Sequence, residues 1–150
     1  MLQRISTYWW CQIIGWSVNI GIGIFFVSTF GQPDELYYES LVLSCILGLL
    51  LTHFMRFCIF YFKVLAMPVK KQVLSFIGLT IVFALLYGFL SEAIDYFIGY
   101  NPERLQQIGR PKRLLLGSIN AFWIILIWNL IYYVYHYVES NRRQKMDTFR

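Results

Sequence analysis

Two basic side chains interrupt the stretch LLTHFMRFCIFYF at residues 50–62, His53 and Arg56, three positions apart among apolar and aromatic neighbours. A cation inside a membrane is costly, and its presence there is a functional hypothesis by default. Arg56 has two possible uses. It lies six residues before Phe62, about 9 Å along a helix axis, and an arginine can snorkel much of that distance. In that case it anchors a helix end, with His53 as a polar neighbour. Alternatively, Arg56 shares a helical face with Thr52, Gly48 and Cys45 and points inward. There it would bond helix-end carbonyls or His136, making Thr52, His53, Arg56 and His136 a polar relay where the chain leaves the membrane.

Glu92 and Asp95 form a second unusual pair, one helical turn apart. Two carboxylates at a helix end are most simply solvated. They could also sense a cation or ligand on the outer side, since adjacent carboxylates can raise one another's pKa. A third set, Gln12, Gly15, Asn19 and Gly23, follows a 3-4-4 spacing, which places all four on one narrow helical face. Small residues let helices approach closely, and Gln or Asn can hydrogen-bond across an interface. This stripe reads as packing glue, or as a polar ligand site lined by Gln12 and Asn19.

Catalytic patterns are missing. The chain has no Gly-rich phosphate loop, HExxH, CxxC or GxSxG. Its two histidines, His53 and His136, have no further ligands in view for a metal or a haem. No catalytic residue, metal, cofactor or nucleic-acid partner is expected of these residues.

The elements that carry these side chains follow from hydropathy. Apolar residues make up 58% of the 150 and charged residues 14%, against about 25% charged in an average soluble domain. Uncharged runs of 29 residues (Arg4 to Asp34), 20 (Lys71 to Glu92) and 25 (Arg113 to Glu139) alternate with one of 23 (Glu39 to Lys63) broken only by Arg56. A spanning helix needs about 20 apolar residues. The runs lack the strict alternation of barrel strands. The first is too long for a signal peptide and has no small-residue cleavage site after a short apolar core. The expectation is an all-α integral membrane protein, a four-transmembrane-helix bundle with spans near 8–30, 38–62, 73–98 and 115–137. The lipid bilayer is then its first partner. Pro33, Pro68, Pro102 and Pro111 punctuate the connections as breakers. Cys11, Cys45 and Cys58 read as small buried hydrophobes.

Further polar or small faces recur on the later helices: Cys45, Gly48, Thr52 and Arg56 on the second, Gly88, Ser91, Glu92 and Asp95 on the third, and Ser118, Asn129, Tyr132 and His136 on the fourth. One such face per helix describes a bundle rather than four separate anchors. With the N-terminus inside, nine cations (Arg4, Arg56, Lys63, Lys70, Lys71, Arg142, Arg143, Lys145, Arg150) lie inward and four (Arg104, Arg110, Lys112, Arg113) outward. The positive-inside rule then puts both termini in the cytoplasm. The outward segment GRPKR runs against that rule and could lie on anionic headgroups. Tyr and Trp clusters at Tyr8–Trp10, Tyr37–Tyr38 and Tyr132–Tyr137 suit helix ends at the interface.

The tail HYVESNRRQKMDTFR continues the fourth helix without a Gly or Pro stop. Glu139 with Arg142 and Arg143 supplies helix-supporting pairs at three and four residues. The chain thus divides into a membrane unit, 1–137, and the start of a cytoplasmic signalling helix, 138–150.

Three segments carry a resemblance: YWWCQIIGW, LLTHFMR and IYYVYHYVESNRRQKMDTFR. With them the whole chain resembles the N-terminal membrane region of bacterial sensor histidine kinases of the LytS/YehU-like type, in the short four-helix form common in Bacteroidetes. The resemblance implies a dimeric input module in the bacterial cytoplasmic membrane, whose last segment enters the phosphoacceptor helix of a kinase core. It further implies ATP and Mg as cofactors of that core only, and a LytTR-type response regulator as partner. The PHFLFN-type phosphoacceptor motif and the ATP-binding domain are absent from these residues. The alternative is a stand-alone four-helix membrane transporter or effector, which would place an ionisable residue near the midplane. The central thirds of the helices hold no acid.

Overall fold

The computed structural model describes the backbone of residues 2–31, 34–101 and 106–148, with side chains from Trp9 onward. Pro33, Pro102, Arg104, Phe149 and Arg150 lie outside the described residues, as do the side chains of Arg4 and Tyr8. Within them every regular element is helical: α1 (Leu2–Phe30), α2 (Glu35–Tyr61), a 3-10 turn (Val64–Ala66), α3 (Val69–Ile98) and α4 (Arg110–Thr148). Each of the four α-helices is long and apolar enough to cross a membrane.

The helices outrun the apolar spans, because helical backbone continues until something stops it. α2 closes on Lys63, held at φ 50° in the left-handed region. Pro68 then supplies an extended residue before Val69 starts α3. α3 ends on Gly99 at φ 75°, a conformation glycine adopts without a Cβ clash. The Gly99 amide donates to the Tyr96 carbonyl and the Tyr100 amide to the Asp95 carbonyl at 2.9 Å, which caps the helix. Pro111 opens α4 rather than breaking the chain. In the first helical turn its missing N–H costs no bond, and α4 starts at Arg110 instead of near 115.

Packing concentrates on one side. The α3–α4 seam is the most extensive, α2–α3 the next, and α1 rests chiefly on α2. Gly88 of α3 is buried, and a Cβ there would overlap Ser118 and come within 2.7 Å of the Leu114 carbonyl of α4. Gly48 of α2 plays a similar part, since the Trp16 indole of α1 occupies the space a side chain would need. Met55, Ile59, Phe83, Ala84, Ala121 and Ile125 fill the centre, each under 4% exposed. Large apolar residues cover the outside, Leu50 at 61% and Leu74 at 71% exposed among them. Soluble monomers rarely expose a continuous apolar surface of this kind, whereas a bilayer solvates it.

Candidate functional site

Polar side chains collect at three levels of the bundle. At the level where α2 ends, Arg56 lies over the Phe60 ring, 5.5 Å from its centroid. His136 of α4 meets the same ring edge-on at 6.1 Å and also meets Tyr132 edge-on at 4.7 Å. Phe60 therefore joins Arg56 to His136. His53 turns toward α1. It is exposed and stacks on Trp9 of α1 at 5.8 Å. Successive helix positions are turned 100° apart, so a histidine beside the inward-facing Thr52 is carried off that face.

In the middle, Thr52 is fully buried and donates to the Gly48 carbonyl, the bond that suits a hydroxyl inside a membrane helix. It also approaches the Gln12 side-chain oxygen at 3.2 Å, and the Trp16 indole donates to the same oxygen at 3.1 Å. Gln12 is 1% exposed, so its side chain ties α1 to α2. Asn19 is half-buried and directs its amide to the Cys45 sulfur. Gly23 packs on Leu41 and accepts a bond at its carbonyl from the Tyr37 hydroxyl. Gly15 differs from the rest of this stripe. It is exposed, and a Cβ there would meet nothing within 4 Å. Across the bundle, Asn129 of α4 donates to Thr80 of α3 at 2.7 Å and to the Met55 sulfur of α2.

At the far end, both acids are drawn into the bundle. Glu92 makes an ion-pair contact with Arg113 of α4 at 3.4 Å, the two side chains only 20% and 10% exposed. Asp95 accepts a hydrogen bond from Ser40 of α2. Ser44 and Ser91 meet at 3.3 Å, and Arg113 donates to Asn101 at 3.0 Å. Burial pushes the Tyr100 hydroxyl up from its ordinary pKa, with the nearby Asp95 charge adding to it. GRPKR thus does not act as one headgroup-facing block. Arg113 turns in to Glu92, while Arg110 stacks on Tyr96 at 4.7 Å. The antiparallel α3–α4 pairing sets acid against base. Spacing within either helix carried no sign of that match.

Between α1 and α4 the bundle is open. A groove of about 850 Å³ separates Ile14, Val18 and Ile22 on one wall from Ile124, Ile127 and Ile131 on the other. Arg56 and Phe60 form its floor near one end, where His136, Glu139 and Arg143 also stand. Sequence patterning missed this groove, since a lipid-facing isoleucine and a groove-facing one look alike. Among the described residues no three His, Cys, Asp or Glu side chains converge as metal ligands. The chain matches no protein-family model, no curated protein and no solved structure.

Proposed function

We propose that this chain is the membrane-embedded input and dimerisation module of a two-component sensor histidine kinase, relaying a signal through α4 to a kinase core beyond these residues. In this proposal it sits in the bacterial cytoplasmic membrane with both termini in the cytoplasm. The observation that carries it is the length of α4. Its 39 residues run unbroken from Arg110 to Thr148, about 58 Å at 1.5 Å per residue. The hydrocarbon core is about 30 Å thick, and the uncharged run between Arg113 and Glu139 already covers about 38 Å. Beyond it α4 continues as a polar C-terminal part, exposed from Ser140 to Thr148 and about 14 Å long. A helix polar on all sides gains little by itself and is best used as a rigid connector.

One further feature supports the proposal. Arg56, Phe60 and His136 meet where α4 departs, so a shift of α2 is felt at the base of the connector. A signal would act by favouring one of two bundle arrangements, to the extent of its differential affinity for them. The connector would pair with a second copy, and ATP, Mg and a LytTR-type response regulator would belong to the attached core.

The test is a fusion of a histidine-kinase core after Arg150. Autophosphorylation should change several-fold in Arg56→Leu while membrane insertion stays normal. Phosphorylation that ignores disruption of the bundle would refute the relay. A change in insertion alone would make Arg56 an anchor.

A further inference from the structure

We infer that the groove between α1 and α4 is a binding site for one anionic phospholipid, drawn from the leaflet around the C-terminal half of α4. Polarity along the groove has the pattern of an amphiphile. Its two walls are isoleucine and valine, and the charged residues among the described lining stand at one end: Arg56, Glu139 and Arg143. Gln12 and Asn19 also border the groove, but their side chains are engaged by Trp16, Thr52 and Cys45, so they do not make its middle polar.

Length separates a lipid from a helix as occupant. On α4 the lining begins at Ile124, well inside a helix that starts at Arg110, and on α1 it stops at Ile22, short of Phe30. The α4 lining continues to Arg143, but its apolar stretch, Ile124 to Tyr135, is about 17 Å, close to half of the ~30 Å hydrocarbon thickness. A spanning helix from a second copy would need apolar wall over the full thickness, whereas one lipid needs a half-thickness apolar wall with a charged end. The volume, about 850 Å³, lies in the range of small-molecule sites. Gly15 keeps the wall open, since nothing stands within 4 Å of the place a Cβ would take.

Charge selects the head group. Arg56 and Arg143 outnumber Glu139 at the groove's end. Arg143 is held to Glu139 at 3.3 Å with 57% of its side chain exposed, so it can also reach a phosphate. The planar guanidinium of arginine suits phosphate oxygens in pairs. Near a membrane surface each basic residue favours an anionic lipid by about fivefold.

The two groove tryptophans, Trp16 and Trp128, allow a direct test. Replacing Trp9, Trp10 and Trp123 with Phe leaves them as the only indoles of the full chain. This protein would be placed in phosphatidylcholine vesicles carrying a small equal fraction of brominated phosphatidylglycerol or brominated phosphatidylcholine. Brominated phosphatidylglycerol should quench at a mole fraction about fivefold lower or less. Arg56→Gln should remove most of that preference. Gly15→Leu, which has room for its side chain, should fill the groove and abolish the preference with helix content unchanged. Equal quenching by both lipids would overturn the site and leave an ordinary lipid annulus. So would a preference that survives both substitutions, or efficient disulfide formation between two copies of Ile127→Cys, which would put a second copy in the groove. None of these outcomes depends on whether α4 carries a signal.

Discussion

Toward α3, helix α4 presents Gly117 and Ser118, and toward α1 it presents Ile124, Ile127 and Ile131. The first face closes on its neighbour until backbone nearly touches backbone at Gly88. The second stands off and leaves a groove. In a bilayer, apolar surface gains nothing by leaving lipid for another apolar surface, so helices associate through close packing and polar bonds. The α3–α4 seam has both, with small residues on each side, the Asn129–Thr80 bond in the middle and the Glu92–Arg113 pair at the end. On the α1 side, Gly15 faces open space, and among the described residues Gln12 and Asn19 bond to α2. A small residue therefore closes a seam only where the opposite helix fills the space it leaves, as the α4 backbone does at Gly88 and the Trp16 indole at Gly48.

The comparison can be broken from the tight side first. Gly88→Leu should cost about 3 kcal/mol or prevent assembly, read as a lower midpoint when the detergent-solubilised protein is unfolded by a denaturing detergent. An unchanged midpoint would mean that the α3–α4 seam is looser than its geometry. Arg113→Leu should cost about 2 kcal/mol in the same titration, because Glu92 is left charged in a largely buried place. Adding Glu92→Leu should recover most of the loss. If the double variant is worse than the single one, the pair itself contributes and the desolvation argument fails. On the open side, Gly15→Leu should move the midpoint by no more than about 0.5 kcal/mol, as at an unpacked surface position. A large loss there would show that α1 and α4 do close on each other.

Much of the fold was legible because it depends on counting. Four apolar runs dictated four helices, and the uninterrupted tail dictated a long fourth one. Helix limits were less legible, since apolarity marks the lipid-facing length and not the stops. Lys63 and Gly99 end helices by adopting positive φ, and Pro111 begins one, all beyond the apolar runs. Of the polar residues, Gln12 and Thr52 lie on shared inward faces, as their spacing suggested. His53 and Gly15 sit on outward ones, because a residue's use depends on which neighbour its face meets. Arg56 and His136, far apart in the chain, are joined by Phe60, a residue that carried no signal of its own.

What the sequence determined by itself was local and additive: hydropathy over a window, helical period within a segment, and charge at the ends. Those properties specify helices and their lengths, because each helix satisfies its own backbone bonds inside the bilayer. Which helix lies beside which was decided only in three dimensions. Each helix has a polar or small face that turns inward, but which partner that face meets is set only by the matching of small residues and polar groups across two helices. The Glu92–Arg113 pair, the Arg56–Phe60–His136 contact and the groove between α1 and α4 all arise from that matching.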